Sequence, residues 1–446
     1  MKTIIIILIS KCIILLGKLV HRGSVKAGDI AFKLDNKIFD KITRPKKIIA
    51  VTGSSGKGST TKIIARVLRN QGYKVMHNSS GSNMRSGILT TLLENCTLTG
   101  KIKHDVFVME MDERWAKLVF PELNPDYVVV TNLTRDQPPR QGNVDIVFED
   151  IKKALTPNMH LILNADDPYL QKFVEKQFKD VTYFGITKNK YSYKKNKFEN
   201  LNLYYCPKCN TKIEYDYYHF ETLGKYKCPN CEFYRLPAQY EVTNLDYDNE
   251  SIVINNSYTM HLDMPILFSV YNIVAAFSVL SLMGIENKII SEEISKIMKD
   301  KKIYNYFSLS NRSVYVFNNK NENSTTFNQT LLFLDRNSKP KTIVIGWKEI
   351  SRRYKFNDIS WLYDIDFELL NKHKIDKIIC VGRDCYDIAT RIKLAGISKN
   401  KIVSYPDLKE ATKYIKSKTK NDIYAILNFD FVEPFTELII EGEEAW

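Results

Sequence analysis

The stretch that decides the fold reads IIAVTGSSGKGSTTKIIARVL and covers residues 48–68. A short apolar run enters a turn rich in glycine and serine, and the chain leaves that turn with apolar residues at helical spacing. Glycines let the backbone turn tightly and approach an anion, so that backbone N–H groups and the helix N-terminus face phosphate oxygens. The stretch therefore predicts a phosphate-binding loop between a strand and a helix.

The side chains of this loop predict a bound nucleotide. Lys57 would reach the β- and γ-phosphates, and Ser59 or Thr60 would offer a hydroxyl to Mg²⁺. The spacing departs from the strict P-loop pattern because Gly58 lies between the lysine and the hydroxyl residue. A purely structural turn is the weaker interpretation because it gives the lysine no steric reason to be there. The predicted nucleotide-binding residues of the loop are Gly53, Ser54, Ser55, Gly56, Lys57, Gly58, Ser59 and Thr60.

Strand-like and helical segments alternate along two parts of the chain. Apolar runs such as KIIAVT at 47–52 and VTYFGI at 181–186 alternate with helical stretches, as in a parallel sheet whose strands are buried on both faces. The alternation stops near residue 187 and restarts near residue 303. The sequence therefore predicts an α/β protein with three parts: an N-terminal segment (1–45), a central ATP-binding domain (46–300) with an insertion at about 200–237, and a C-terminal Rossmann-like α/β domain (301–446) that begins at the Lys301–Lys302 pair.

Size and composition set wide limits. A chain of 446 residues, 44% of them hydrophobic, is too long for one ordinary core and suits several domains. The net charge of +14 would suit nucleic acid, an anionic membrane or a phosphorylated substrate, and it also follows from a plain lysine bias. Because arginine-rich runs interleaved with aromatic residues are missing from the sequence, we predict no nucleic-acid partner.

The N-terminal run MKTIIIILISKCIILLGKL is apolar but is interrupted by Lys11. It is short for a membrane span, which needs roughly 20 residues, and no clean cleavage site follows it. We expect a first helix that is buried or lies along a membrane. The predicted location is cytoplasmic, and peripheral contact with the inner leaflet stays open because Lys2, Lys18, His21 and Arg22 also lie in or beside the run.

Four of the eight cysteines form two Cys-x-x-Cys pairs, Cys206 with Cys209 and Cys228 with Cys231, separated by 18 residues. Two such knuckles supply four thiolates to a tetrahedral Zn²⁺. Four thiolates leave no coordination position for water, so the predicted zinc is structural. Uncoordinated or redox-active cysteines are the alternative, which this spacing disfavours, and His219 is not an expected ligand.

The loop TGSSGKGST resembles the ATP loop of the Mur ligase and folylpolyglutamate synthetase superfamily, whose members join a carboxylate to an amine through an acyl phosphate. The segments VMEMDE, TNLTRDQ, LNADDP and VYNIVAA resemble further motifs of that superfamily and follow in the expected order. The resemblance implies a Mg²⁺ ligand at Glu110, nucleotide contacts at Asn132, Asn164 and Asp166, and a helix that carries Asn272.

A cysteine module inserted after the LNADDP strand resembles the MurT family of synthetase subunits, which act in the lipid II isoglutaminyl synthase complex with a GatD glutaminase. Gln137, where many Mur ligases have histidine, and the segment NDISWLYDIDFELL at 357–370 resemble this family too. The resemblance covers about residues 20–440.

For one aspartate the resemblance implies a role in the partner's catalysis. Asp358 would complete the Cys–His pair of the glutaminase as the third member of a triad. The alternative is that Asp358 only caps a helix beginning near Ser360. In that case Asp364 and Asp366 are the fallback choices for the triad role.

The function implied by the resemblance is the ATP-dependent amidation of the D-glutamate α-carboxylate of lipid II to D-isoglutamine, in peptidoglycan synthesis. It implies a Mur-ligase-type central domain, bound ATP, Mg²⁺ and Zn²⁺, a GatD-like partner that supplies ammonia, and lipid II at the membrane. KNENSTTFNQ at 320–329, QPPRQGN at 137–143 and GWKEISRRYKFND at 346–358 depart from the family's motifs. Two alternatives therefore stay open: a standalone ligase that adds an amino acid, and a non-catalytic zinc-ribbon binding protein.

Overall fold

A computed structural model gives the structure of the chain. It describes residues 1–19, 25–78, 82–136, 142–175, 178–199, 201, 203–300, 304–309, 311–319, 323–334, 338–348, 358–372 and 374–441. His21, Arg22, Gln137 and the Lys301–Lys302 pair, which the sequence analysis singled out, lie outside these residues.

The described residues form strands and helices that alternate along most of the chain. The strands are β1 (Lys47–Thr52), β2 (Val75–His77), β3 (Val106–Glu110), β4 (Tyr127–Val130), β5 (His160–Asn164), β6 (Val181–Ile186), β7 (Glu214–Phe220), β8 (Leu223–Lys227), β9 (Tyr240–Asp246), β10 (Ser251–Ile254), β11 (Tyr258–His261), β12 (Tyr304–Leu309), β13 (Arg312–Asn319), β14 (Lys341–Trp347), β15 (Ile375–Gly382), β16 (Ile402–Tyr405) and β17 (Asp422–Asn428). The α-helices are α1 (Lys2–Leu19), α2 (Lys26–Leu34), α3 (Lys57–Asn70), α4 (Arg85–Asn95), α5 (Ala116–Leu123), α6 (Val144–Ala154), α7 (Pro168–Gln171), α8 (Leu267–Leu282), α9 (Asn287–Lys299), α10 (Ser324–Leu334), α11 (Cys385–Leu394), α12 (Leu408–Lys418) and α13 (Phe429–Ile440).

The first sheet has nine strands in the order β11-β10-β9-β6-β5-β4-β1-β3-β2. Its strands from β9 to β2 pair in parallel, and β10 and β11 add an antiparallel edge. β1 lies between β3 and β4, with Val51 opposite Glu110 and Thr52 opposite Val130. Because parallel strands end at the same edge of a sheet, the loops that follow β1, β3, β4 and β5 converge there, where ligands of open α/β sheets bind.

Alternate residues of β1 pack into two different layers. Ile49 and Val51 join the core that holds Ile64 of α3, whereas Ile48 and Ala50 join the core that holds Ile88 of α4. Successive side chains of a strand point to opposite faces, so a strand covered on both faces has to be apolar throughout. The run KIIAVT meets that requirement, and five of its six residues are buried.

The second sheet has six strands in the order β12-β13-β17-β14-β15-β16. β12 pairs antiparallel with β13, and the other neighbours pair in parallel. The predicted architecture, a central α/β domain followed by a Rossmann-like α/β domain, is confirmed.

The insertion between β6 and β9 contains the hairpin β7–β8 and a compact group of four cysteines. The sulfur atoms of Cys206, Cys209, Cys228 and Cys231 lie within 4.8 Å of one another. Backbone N–H groups of Lys208 and Asn230 point to Cys206 Sγ and Cys228 Sγ, both at 3.4 Å. His219 is not part of the group and hydrogen-bonds to the backbone of Ile186 instead. Four converging thiols form a closed donor set that could hold a metal ion, as the spacing predicted.

α1 packs against α2 and α4 along one face, where Ile6, Ile7, Ser10 and Ile14 are buried. We expected a first helix that is buried or lies along a membrane, and the structure shows α1 buried along one face only. Among the described residues, no helix combines the length and the apolar character that crossing a membrane requires.

Removing the metal should loosen the insertion. We expect the purified chain to carry about one zinc ion, since one closed four-thiolate site binds one ion. The Cys228→Ser variant should lose this zinc and exchange the amide hydrogens of residues 203–236 faster, as measured by metal analysis and hydrogen–deuterium exchange. Cys12→Ser, which changes an exposed cysteine outside the group, is the matched control. A zinc-free chain with an equally protected insertion would contradict the structural role.

The tip of the β7–β8 hairpin should make stability depend on pH. Burial raises the pKa of Glu221 to about 8, and its Oε1 accepts a hydrogen bond from Asn328 Nδ2. In the unfolded chain the same carboxyl ionises near its usual value of 4.5, so the folded state keeps a proton that the unfolded state has released. Stability linked to Glu221 is therefore fully present below pH 4.5 and is lost as the pH rises to about 8.

Replacing this carboxyl with an amide should remove that loss. We expect Glu221→Gln to raise the melting temperature by about 2–4 °C at pH 8 and much less at pH 5. Glu214→Gln, at an exposed position of the same hairpin, is the control and should leave the profile unchanged. An equal effect of Glu221→Gln at both pH values would refute the assignment.

Candidate nucleotide-binding site

The loop between β1 and α3 depends on two glycines. Gly53 and Gly56 have φ values of +125° and +87°, which residues with a Cβ rarely adopt. A Cβ on Gly53 would lie 2.3 Å from Thr131 Oγ1, and one on Gly56 would lie 2.1 Å from Asn272 Oδ1. The residues after β4 and the helix that carries Asn272 therefore pack so closely against the loop backbone that no side chain fits at these two positions.

The segment after β4 fixes the shape of the loop. Ser55 N donates to Asn132 Oδ1, and Asn132 Nδ2 donates to the Ser55 carbonyl, both at 3.0 Å. Ser54 Oγ donates to the Thr134 carbonyl and accepts from Thr134 N, both at 2.9 Å. Asn132 thus lies beside the loop, where it hydrogen-bonds to the backbone of Ser55.

Lys57 begins α3 and is buried, with 8% of its surface exposed. Its Nζ lies 2.5 Å from Glu113 Oε1 and also donates to the Gly53 carbonyl. Burial lowers the pKa of Lys57, but the nearby carboxylates of Glu113 and Asp136 outweigh this and raise the pKa overall. The lysine therefore stays charged at the head of the loop, where a phosphate would be bound.

Glu110, the last residue of β3, lies over the first turn of α3. A Cβ on Gly58 would be 3.0 Å from Glu110 Oε2, so a larger residue would require this carboxylate to move by a few tenths of an ångström. Asn83 Nδ2 donates to Glu110 Oε1 at 2.9 Å and orients it. Ser59, the next residue of the helix, is partly buried. A carboxylate and a hydroxyl at a phosphate loop match the oxygen ligands that Mg²⁺ prefers.

Thr60 and Asn272 join α3 to α8. Thr60 Oγ1 donates to Asn272 Oδ1 at 3.3 Å, and the Thr60 N–H donates to the Gly56 carbonyl at 2.9 Å. The resemblance of VYNIVAA to a superfamily helix pointed to Asn272, and the structure places that residue directly beside the loop.

The C-terminal domain also reaches the loop. Asn323, which is fully buried, donates through Nδ2 to Ser55 Oγ at 3.3 Å and to Asp136 Oδ1 at 2.9 Å. Arg135 Nη1 forms an ion pair with Asp364, with its oxygens at 2.5 and 2.7 Å. Neither pairing was predicted, because the partners are far apart in the sequence.

A cavity of about 210 Å³ opens beside these contacts. Arg135, Asp364, Glu221 and Ser324 are among its lining residues, so the central domain, the C-terminal domain and the inserted hairpin contribute to it. The candidate site is therefore assembled between the central domain and the C-terminal domain.

Asn164 is the last residue of β5, and Asp166 follows it by two residues. Asn164 Oδ1 accepts from Asp166 N at 3.0 Å, and Asn164 Nδ2 has no hydrogen-bond partner among the described residues. Asp166 is fully buried and pairs with Arg235 Nε at 2.6 Å and with the Tyr271 hydroxyl at 2.9 Å. Its carboxylate therefore ties the insertion to the central domain, and its predicted nucleotide contact stays a prediction.

Asp358 lies at the start of a 3₁₀ turn, Ser360–Asp364, and is partly exposed. Its Oδ1 accepts from Ser360 N at 2.9 Å, so it does perform the local capping that was the alternative. The hydroxyl and backbone N–H of Ser360 lower the pKa of Asp358. Asp366 is buried, and Asp364 is paired with Arg135. Asp358 is thus the candidate best placed to meet another protein.

The chain is similar in sequence, along most of its length, to proteins named MurT. The chain is 29% identical over 420 residues to the lipid II isoglutaminyl synthase (glutamine-hydrolyzing) subunit MurT of Staphylococcus aureus strain COL, covering 93% of this chain and 92% of that one. It is 25% identical over 443 residues to the MurT subunit of Streptococcus pneumoniae strain ATCC BAA-255 / R6, covering 94% and 92% of the two chains.

Solved structures share the fold. A pseudomurein peptide ligase type C from Methanothermus fervidus superposes with a TM-score of 0.68 at 20% identity, covering 94% of this chain and 86% of that one. A MurF ligase from Thermotoga maritima, solved in complex with ADP, superposes with a TM-score of 0.59 at 18% identity, covering 93% and 83%.

Two family descriptions match the sequence. The MurT ligase C-terminal family matches residues 321–431, and the Mur ligase middle domain family matches residues 51–280. The departures from family motifs within 320–329 and 346–358 thus lie largely inside a region that still matches. Because the middle-domain match covers more than half of the chain, the chain belongs to the Mur ligase family and has a C-terminal region of the MurT ligase type.

Proposed function

We propose that the protein is an ATP-dependent ligase that converts the D-glutamate α-carboxylate of lipid II into the amide of D-isoglutamine, in peptidoglycan synthesis. The observation that carries the proposal is the loop at 53–60, with a buried charged lysine at its head and Glu110 over its first helical turn. Similarity along 93% of the chain to proteins named MurT supports the choice of substrate.

The proposed chemistry has two steps. The substrate carboxylate attacks the γ-phosphorus of ATP, which gives an acyl phosphate and ADP. Ammonia then attacks the acyl carbon, so that a C–N bond forms, the C–O bond to phosphate breaks, and inorganic phosphate leaves. Such reactions depend mainly on positioning and on stabilising charge at the transferring phosphoryl group.

The residues of this chain supply that stabilisation. Lys57 and the backbone N–H groups at the start of α3 would bind the phosphate oxygens. Asn132 accepts the Ser55 N–H and thereby fixes the turn that precedes them. Glu110 and Ser59 would hold Mg²⁺, which neutralises phosphate charge when it is bound. The four cysteines would hold Zn²⁺ as a structural ion, away from the reaction.

Ammonia would come from a GatD-like glutaminase subunit, because the loop at 53–60 contains no cysteine that could attack glutamine. Asp358 would orient and stabilise the partner's catalytic histidine. Because lipid II is held in the membrane, the complex would work as a peripheral assembly at the cytoplasmic face.

Replacing the loop lysine should abolish ATP turnover. We expect Lys57→Met to lower kcat for ADP formation by about 10²–10³-fold, because a preorganised charge at the phosphoryl group is lost. The matched control is Lys62→Met, at an exposed lysine of the same helix, which should keep wild-type activity. The assay couples ADP release to lipid II amidation in the presence of the glutaminase subunit. Equal turnover by Lys57→Met and the wild type would refute the assigned role.

Exchanging one carboxylate should separate capping from catalysis. Asn in place of Asp358 still offers an oxygen to Ser360 N, so the turn should stay folded. In a co-purified complex we expect Asp358→Asn to lower glutamine hydrolysis by about 10⁴-fold, because the partner's histidine loses its carboxylate. Asp387→Asn, at an exposed aspartate of the same domain, is the control. A complex whose glutamine hydrolysis is unchanged by Asp358→Asn would leave this residue with a capping role only.

Amide formation from a free amino acid without any partner would favour the standalone ligase instead.

A further inference from the structure

One face of α1 exposes an unbroken row of large apolar side chains. Leu15, Leu16 and Leu19 are 63%, 62% and 72% exposed, and Ile5 and Leu8 are 55% and 50% exposed. Ile4, Ile9 and Cys12 continue the same row, which follows the i, i+4 spacing of a helix surface. We call this row, residues 4, 5, 8, 9, 12, 15, 16 and 19, the outer face of α1.

This outer face is not a consequence of packing inside the chain. The buried residues of α1, such as Ile7 and Ile14, lie on the opposite side and already contact α2 and α4. A soluble amphipathic helix places polar residues on its outer side, whereas a helix that is apolar all round is normally covered all round. The outer face therefore requires an apolar environment that the described residues do not supply.

Lysines lie on both flanks of the outer face. Lys2 lies at one flank of the row, and Lys11 and Lys18 lie at the other. Lys11 Nζ donates to the Glu94 carbonyl at 2.9 Å, and Lys18 Nζ lies 2.5 Å from Glu94 Oε1. In sequence, the first 28 residues contain five Lys or Arg and no Asp or Glu. Lysines at the edges of an apolar stripe can extend their charged ends toward lipid phosphates while their stems stay in contact with apolar surface.

We infer that the outer face of α1 docks the protein in the plane of an anionic phospholipid bilayer. The helix lies along the surface: its leucines and isoleucines enter the boundary between headgroups and acyl chains, and its lysines contact lipid phosphates. The absence of a membrane-spanning helix among the described residues fits attachment to one leaflet. The inference deepens the proposed function, because a lipid-anchored substrate has to be met at that surface.

The position of α1 also suits the candidate site. Glu94 lies near the end of α4, and the opposite end of α4 follows Asn83, which donates to Glu110. The 11 residues of α4 span about 16 Å, and the thickness of α1, about 10 Å, separates the outer face from α4. A substrate fixed in the bilayer by its lipid would have to extend its peptide only over such a distance.

The experiment measures sedimentation of the full-length chain with vesicles, without ATP or lipid II. Vesicles contain phosphatidylcholine alone, or phosphatidylcholine and phosphatidylglycerol in equal parts. The test variant combines Leu8→Gln, Leu15→Gln and Leu16→Gln. The matched control combines Leu98→Gln, Leu118→Gln and Leu394→Gln, three leucines that are 44%, 43% and 67% exposed elsewhere on the surface.

We expect the wild type and the control to bind the anionic vesicles, with weaker binding to phosphatidylcholine alone and at high salt. The test variant should lose at least about tenfold in its partition coefficient, because three apolar side chains no longer enter the lipid. Failure of the wild type to bind anionic vesicles, or unchanged binding by the test variant, would overturn the inference.

Two further readouts exclude other occupants of the outer face. If light scattering shows that the test variant alone falls from dimer to monomer, a second copy covers the face and the lipid inference is wrong. If the test variant loses the glutaminase subunit on co-purification, that partner covers it instead. The vesicle experiment contains no ATP and no lipid II. Loss of vesicle binding therefore tests the membrane-docking inference alone, and loss of amidation tests the proposed ligase function alone.

Discussion

The ion pair between Lys57 and Glu113 is the interaction on which the site depends. An ammonium group buried at the head of a loop is costly unless a carboxylate and further hydrogen bonds compensate it. Glu113 supplies the carboxylate at 2.5 Å, and Asp136 adds a second negative charge that raises the pKa of Lys57. Removing one partner of such a buried pair typically costs about 3–5 kcal/mol. The chain after β3 and the chain after β4 are therefore both constrained by the charge of one lysine.

The fold could be predicted where strands are buried on both faces, and less well elsewhere. β1 and β6 occupy the segments KIIAVT and VTYFGI, because continuous apolar runs are a strong signal of a central strand. β2, β12 and β16 were not predicted. All three lie at the edges of their sheets, and every residue of β16 is only partly buried. An edge strand has one neighbouring strand and need not be apolar. Its sequence therefore lacks the continuous apolar run by which a central strand is recognised.

At the site, the loop could be predicted from the sequence, whereas the hydrogen bonds and ion pairs that hold the loop in place could not. The strand, glycines, lysine and hydroxyls are neighbours in the chain, so their pattern could be recognised directly. Pairings such as Asp166 with Arg235 join residues that only the finished fold brings together. The segment KNENSTTFNQ was read as a departure from a family motif, yet its Asn323 contacts the phosphate loop itself. A segment that departs from a family motif can therefore still contact the loop.

The two hydrogen bonds of Asn323 have a thermodynamic consequence. The same amide nitrogen contacts Ser55 in the loop and Asp136 after β4, while Asn323 Oδ1 accepts from Thr326 N at the start of α10. The bond to Thr326 lies within the C-terminal domain, whereas the bonds to Ser55 and Asp136 cross to the central domain, so a rotation of one domain against the other would break these two. Any molecule that binds the loop in one geometry therefore shifts the equilibrium between domain orientations, and by linkage each orientation changes the affinity for that molecule by the same factor. One buried asparagine therefore couples the shape of the loop to the orientation of the C-terminal domain.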